Sequence, residues 1–164
     1  MKIVNQINRI FIKKFDHCWV PDFKNSLLSG ELSDSNLEKI FIGPQTRFKK
    51  IVEERKNYKY KYLAIISGPE PQRSLLEDEI QNCFLKTNEH CAIINGLTNT
   101  KEISAEKITF YPHLETTAFR ELLTKSEFVI CRSGYSSIMD LYVLQKKVLF
   151  IPTPGQTEQE YLAK

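Results

Sequence analysis

The chain has 164 residues, 41% of them hydrophobic and 26% charged, with a formal net charge of +3 at neutral pH. That length suits one domain with part of another, the mixture is ordinary for a globular protein, and so mild a charge does not by itself argue for a nucleic-acid binder. Four cysteines without a C-x-x-C pair, and three separated histidines, offer no metal-ligand spacing, and no apolar run approaches the ~20 residues of a membrane span.

Taken in order, Met1 to Phe15 carries Ile3, Ile7, Ile10, Phe11 and Ile12 among Lys2, Arg9, Lys13 and Lys14. This is the pattern of a basic amphipathic helix, packed on protein or lying at a membrane surface. Asn5, Arg9 and Lys13 break up any signal-peptide core. Short strands are expected at Asp16 to Val20, ended by Pro21, and at Lys39 to Ile42, ended by Gly43-Pro44, with a polar loop from Asn25 to Leu37 between them. From Pro44 to Tyr62 seven Lys or Arg stand against two Glu, with Phe48, Tyr58, Tyr60 and Tyr62 interleaved. A basic and aromatic stretch can bind single-stranded nucleic acid. The strict alternation of Tyr58-Lys59-Tyr60-Lys61-Tyr62 reads equally as a strand start with tyrosines on one face and lysines on the other.

Tyr62 to Ser67 is a continuous, mostly apolar run, as a central parallel strand should be. It ends at Gly68-Pro69-Glu70-Pro71-Gln72-Arg73, and a helix follows with Leu76, Ile80, Cys83 and Phe84 inward. This turn is neither a G-x-G-x-x-G fingerprint nor a P-loop. Strands at His90 to Asn95 and Ile108 to Tyr111 flank a charged connection, Lys101 to Lys107; a helix over Glu115 to Lys125 points Phe119, Leu122 and Leu123 inward. Phe128 to Cys131 then leads through Arg132-Ser133-Gly134 into a helix with Ile138, Leu141 and Tyr142 on one face. Val148 to Ile151 leads through Pro152-Thr153-Pro154-Gly155 into a polar helix, Gln156 to Ala163. Strand and helix alternate, so the fold class is α/β with a doubly wound parallel sheet. The turns at Gly68, His113 and Ser133 and the 152–159 segment all follow strands and therefore fall on the sheet's C-terminal edge, where such folds bind ligands.

The spaced residues Arg132, Ser133, Gly134, Ser137 and Asp140, followed by Pro152, Gly155, Gln156, Glu158, Gln159 and Ala163, resemble the donor-binding motif of family 28 glycosyltransferases. The likeness is to those members that transfer N-acetylglucosamine from UDP in peptidoglycan synthesis. Leu162 stands where the family usually has Asn. Phe15-Asp16, Val20-Pro21-Asp22, Leu28-Ser29-Gly30 and Ile42-Gly43-Pro44 fit the segment that closes the acceptor-binding half in that family.

The resemblance implies a GT-B fold. Residues 1–45 would be the tail of the acceptor-binding domain and a linker, and residues 46–164 a Rossmann-like, nucleotide-sugar-binding domain. It implies a UDP-sugar donor with no metal or other cofactor, an acceptor-binding domain or partner chain, and a cytoplasmic location with peripheral contact at the inner face of the membrane. Nucleic acid is not an expected partner. Donor-binding roles would fall to Gly68 and Arg73 after the first strand of that domain, to His113 and Leu114 beside the nucleobase, and to Arg132, Ser133, Gly134, Ser136 and Ser137 around the diphosphate. Asp140 would accept from the ribose hydroxyls, and Gln156, Glu158 and Gln159 would face sugar and ribose. The catalytic base would belong to the other half. A non-catalytic nucleotide-sugar-binding or assembly subunit is the alternative, and a stiff Gly68-Pro69-Glu70-Pro71 loop poor in N–H donors leans toward it.

Overall fold

The structure is a computed structural model that describes residues 11, 14–24, 38–49, 57–97, 102–105 and 107–164. Its elements run β1 (Cys18–Val20), β2 (Lys39–Phe41), β3 (Tyr60–Ile65), α1 (Gln72–Leu85), β4 (Cys91–Ile94), β5 (Ile103–Ala105), β6 (Ile108–Tyr111), α2 (Thr116–Thr124), β7 (Ser126–Cys131), α3 (Tyr135–Val143), β8 (Lys147–Phe150) and α4 (Thr157–Leu162). The chain divides into two compact units, Met1–Gln45 and Thr46–Lys164. Residues 1–10, 12 and 13 of the amphipathic segment, the loop 25–37 and residues 50–56 of the basic stretch lie outside the described residues.

In the first unit β1 and β2 pair in parallel, Trp19 opposite Ile40. Val20 is buried beneath them, and Ile42 donates its N–H to the Val20 carbonyl. Gly43, at φ +76°, turns the chain out of this pairing, a conformation that glycine adopts without a Cβ clash.

In the second unit six strands form one sheet in the order β5-β6-β4-β3-β7-β8. All neighbours are parallel except β5, which pairs antiparallel with β6. The charged connection over 101–107 therefore contains a strand that its polar composition hid, since an edge strand needs only one apolar neighbour to pair with. From β3 the chain steps outward to β4 and β6, then returns to the other side of β3 for β7 and β8. That reversal puts the topological switch point between β3 and β7, the place where doubly wound sheets open a crevice at their C-terminal edge.

Two cores follow from the two faces. On one, Leu63, Ala92, Ile94, Val129 and Cys131 meet Leu122 and Leu123 of α2, Leu141 of α3 and Leu144 just after it. On the other, Ala64, Ile66, Cys91, Ile93 and Ile108 meet Leu76, Ile80 and Phe84 of α1. Leu63, Ile93, Leu123 and Val129 are wholly buried, each contributing about 1.5–3 kcal/mol by leaving water. The 4-residue spacing of Leu76, Ile80 and Phe84 brings one stripe of α1 onto the sheet.

Three placements differ from expectation. Cys83 is exposed, because the stripe set by Leu76, Ile80 and Phe84 leaves it beside the contact rather than in it. Tyr142 is 48% exposed while Asp140 is buried, so α3 is rotated toward Met139 and Asp140 relative to the simple apolar face. The tyrosines of β3 also divide between the faces. Tyr62 packs against the α1 side, whereas Tyr60, the strand's first residue, joins the α2/α3 side, where its hydroxyl lies 2.7 Å from that of Tyr111.

Candidate functional site

The C-terminal ends of β3 and β7 carry two helix starts, those of α1 and α3. At α3 the residue before the helix is Gly134, extended at φ −77°, ψ 141°, which has no side chain to cap the first turn. The free N–H groups of a helix start, with the aligned peptide dipoles behind them, attract an anion by about 0.3–1 kcal/mol, more where the site is partly buried. A Cβ added at Gly134 would meet nothing nearer than the Ser137 hydroxyl at 4.0 Å. Neither backbone conformation nor neighbours demand glycine there, and the space it leaves is open to a ligand. Ser136 is exposed and Ser137 half-buried, so both hydroxyls can donate toward the same turn.

Arg132 and Ser133 lie directly beneath. Arg132 is 6% exposed. Its Nη1 donates to the carbonyls of Ile151 (3.3 Å) and Pro152 (2.8 Å), and its Nη2 to that of Gln72 (3.0 Å). It thereby clasps the exit of β8 to the first residue of α1. Its Nε is buried without a hydrogen-bond partner, and burial lowers its affinity for the proton. Among the described residues no carboxylate lies within ion-pairing distance of it, although Glu79 acts on it from farther off and opposes the effect of burial. Ser133, fully buried, donates to the Gln159 carbonyl at 2.7 Å.

The β8–α4 turn is tied into the same place. Gln159 accepts at Oε1 from the Thr153 N–H and hydroxyl, both at 2.9 Å, and donates from Nε2 to Gln156 Oε1 at 2.6 Å. Gly155, at φ +79°, makes the turn. Gln156 and Glu158 are exposed, and Gln159 is half-buried. The structure thus joins Ser133 with Gln156 and Gln159, although part of the hydrogen-bonding capacity of both glutamines is spent internally. Thr153, 3% exposed, is a member of this network that the sequence reading missed; a polar residue between two prolines gave no periodic signal.

The start of α1 is different. Gly68, at φ +112°, is exposed in the loop after β3. Glu70 folds back over the helix start, accepting from the Ser74 hydroxyl (2.8 Å), the Ser74 N–H (3.3 Å) and Arg73 Nε (2.7 Å). These contacts, the Ser74 hydroxyl foremost, hold its carboxyl below the usual range. Arg73 also pairs with Glu77 at 3.2 Å and reaches the Asn95 carbonyl at 3.3 Å. Its charge is therefore matched by two carboxylates, and the chain supplies its own anion at this helix start.

In the β6–α2 turn the His113 N–H is donated to the Leu97 carbonyl at 3.1 Å. His113 is exposed, and Leu114 rests against the α2/α3 core. Asp140 sits on the same face of the sheet as α2, its side chain 9% exposed. Thr46 donates to its Oδ1 at 2.6 Å and Arg47 Nε to its Oδ2 at 2.9 Å. Both partners come from the basic stretch, where Arg47 counted only as surface charge.

The doubly wound parallel sheet, with its open helix start at the switch point, defines a Rossmann-like α/β domain. The chain belongs to glycosyltransferase family 28, whose C-terminal domain matches residues 71–164. One relative is the UDP-N-acetylglucosamine–N-acetylmuramyl-(pentapeptide) pyrophosphoryl-undecaprenol N-acetylglucosamine transferase of Sulfurihydrogenibium sp. (strain YO3AOP1), 27% identical over 111 residues. That match covers 65% of this chain and 31% of the relative, so the chain spans about a third of the relative's length. No solved structure matches the chain. Among the described residues no helix is long and apolar enough to cross a membrane.

Proposed function

We propose that this chain is the donor-binding part of a glycosyltransferase that moves a sugar, N-acetylglucosamine or a related hexose, from a UDP-sugar to an acceptor hydroxyl. The observation that carries the reading is the start of α3 at the switch point, where Gly134 offers no capping side chain, above a buried arginine that among the described residues has no carboxylate within ion-pairing distance. The match to the C-terminal domain of family 28 supports it. The diphosphate lies across Gly134, Ser136 and Ser137, and the Gln156–Gln159 segment faces the sugar and ribose.

In the transfer a bond forms between the acceptor oxygen and the anomeric carbon. The bond from that carbon to the β-phosphate oxygen breaks, and its electron pair leaves on the diphosphate. The acceptor proton passes to a base. The α3 start and the charge beneath it stabilise the negative charge that grows on the leaving diphosphate, which is where fixed dipoles contribute most to rate. The base and the acceptor site belong to a second, acceptor-binding domain, in the same polypeptide or in a partner. No metal is assigned a role. The protein is expected in the cytoplasm, at the inner face of the membrane.

The test is calorimetric titration of UDP into the chain and into Gly134→Val. The backbone at Gly134 suits valine, and nothing crowds a Cβ there, so the variant keeps its melting temperature. It fills the space above the helix start. Saturable UDP binding, weakened tenfold or more (~1.4 kcal/mol) by the substitution, supports the reading. Absence of UDP binding by the folded wild-type chain at millimolar ligand, or equal binding by both proteins, overturns it.

A further inference from the structure

The N-terminal edge of the sheet, opposite the one that carries the start of α3, has a hollow of its own. It measures about 340 Å³ and is lined by Lys59, Tyr60, His90, Ser104, Lys107 and Thr109. Lys59, His90 and Lys107 each stand immediately before a parallel strand, β3, β4 and β6 in turn. Strand register makes the space between them. Ser104 and Thr109 are opposite one another in the antiparallel β5–β6 pair, so their side chains share a face. Level with Thr109 on β4 is Ala92, whose methyl takes little room. Tyr60 closes the far side, its hydroxyl 2.7 Å from that of Tyr111. Tyr60 and Thr109 are buried and form the floor, while Lys59, His90 and Lys107 are exposed and form the rim.

Backbone hydrogen bonds fix the rim. The Lys59 N–H donates to the Lys125 carbonyl at 2.8 Å, the His90 carbonyl accepts from the Lys61 N–H at 2.8 Å, and the Lys107 carbonyl accepts from the Cys91 N–H at 2.9 Å. The Lys59 ammonium lies 4.9 Å from the centre of the Tyr60 ring. The Tyr60 hydroxyl, with Glu102 adding less, strengthens its hold on its proton. Lys107 Nζ donates to Asn88 Oδ1 at 3.0 Å, which engages one of its three N–H groups.

The chemistry of the lining is one-sided. All six side chains carry an N–H or O–H group, and none is a carboxylate. Two ammonium groups and an imidazole face three hydroxyls across the hollow, a set that suits a ligand rich in negatively charged oxygen. Arginine, whose flat fork matches a carboxylate, is absent from it; lysine meets phosphate as a point charge. The volume exceeds what a bare phosphate fills and falls at the lower end of small-molecule sites, about 300–1,000 Å³.

We propose that this hollow is a second anion site, separate from the nucleotide site, which takes a small phosphate-bearing ligand: Lys59, His90 and Lys107 hold the phosphate and the Tyr60, Ser104 and Thr109 hydroxyls receive the rest. The family match covers His90, Ser104, Lys107 and Thr109 but begins after Lys59 and Tyr60.

The experiment follows backbone amide shifts of the ¹⁵N-labelled full chain, at constant ionic strength, as inorganic phosphate, glycerol 3-phosphate or glycerol is added. The proteins are wild type, Lys59→Gln/Lys107→Gln and Gly134→Val. Both lysines are exposed, so the double variant keeps its melting temperature. Saturable shifts at Cys91, Ser104 and Thr109 are expected with both phosphates and not with glycerol. They should persist in Gly134→Val, which alters the opposite edge, and phosphate should bind at least tenfold more weakly to Lys59→Gln/Lys107→Gln. Glycerol 3-phosphate binding threefold or more tighter than inorganic phosphate assigns the remaining space to an organic substituent, and equal affinity assigns the site to free phosphate; either supports the proposal. Absence of saturable shifts at those amides up to about 10 mM phosphate overturns it, as does affinity in the double variant within about twofold of wild type, which would make the lysines plain solvated charge. Shifts confined to the start of α3 and lost in Gly134→Val also overturn it, and leave the nucleotide-binding reading in place. Failure of UDP to bind, with these shifts present, overturns that reading alone.

Discussion

The starts of α1 and α3 lie on one edge of one sheet, on the two strands that flank the switch point, and the chain finishes them in opposite ways. At α1 the Glu70 carboxylate takes the place of an anion, held by Ser74 and Arg73. At α3 the residue before the helix is a glycine with no side chain to cap the turn, and among the described residues the cation below has no carboxylate within ion-pairing distance. A helix start is only a potential anion site. What decides is whether the protein has already filled it, and here, among the described residues, only one of two equivalent positions holds a carboxylate of the chain itself.

Arg132 connects the two, reaching from the base of α3 to the Gln72 carbonyl at the head of α1 and to the exit of β8. Breaking that clasp should have the largest effect of any change at the site. Arg132→Met strands three carbonyls and should lower stability by about 3 kcal/mol, read as a shift in the urea midpoint. A shift under about 0.5 kcal/mol would show that water serves those carbonyls equally well. Next comes Gly134→Val, which should reduce UDP affinity tenfold or more while leaving the urea midpoint in place. The contrast between the helix starts then predicts little from Glu70→Gln: a small fall in melting temperature, and UDP affinity within about threefold of wild type. A gain of tenfold would mean that α1, once relieved of its own carboxylate, shares the diphosphate, and that the two helix starts form one site.

Much of this was legible in the sequence, and the exceptions have physical causes. Apolar runs closed by Gly or Pro marked β3, β4, β6 and β7, because a strand covered on both faces is largely apolar, and marked the edge strand β8 although it alternates between exposed and half-buried residues. β5 was hidden, since Ile103-Ser104-Ala105 is short, flanked by charge, and pairs along one edge only. Ser133 and Gln159, both members of the motif, meet in the fold through a hydrogen bond. The motif spacing could not show that Asp140 would be closed by Thr46 and Arg47, more than ninety residues earlier in the chain. A pairing of that range has no local period, and in a stretch so rich in lysine and arginine the one structural cation looks like the rest. Nor did a spacing rule distinguish Arg73, paired with two carboxylates, from Arg132, which among the described residues bonds backbone carbonyls instead.

The two edges of the sheet offer the smallest and most specific test. At the C-terminal edge Arg132 serves backbone carbonyls; at the N-terminal edge Lys146 does so, donating its ammonium to the Ser126 carbonyl, with Tyr58 under the cation at 5.1 Å from its ring centre. Arginine cannot shed its proton in the working range, but lysine can. Burial pulls Lys146 down to about 8, with Glu127 opposing the shift. Its folded value is thus below the ordinary 10.5 of an unfolded lysine, so above pH 8 the unfolded chain holds more protons than the folded one and stability rises with pH. Cys91 and Cys131 act in the other direction. Burial holds them at about 11 and about 12, against 9.0 when unfolded, so their contribution declines once the pH passes 9. Stability should therefore climb from pH 7.5 to about 9 and fall beyond it. Lys146→Met should remove the climb and keep the fall, measured by urea denaturation at intervals across that range. A wild-type profile flat below pH 9, or a climb that survives the substitution, would mean that water reaches Lys146 freely and that only the C-terminal edge buries a cation.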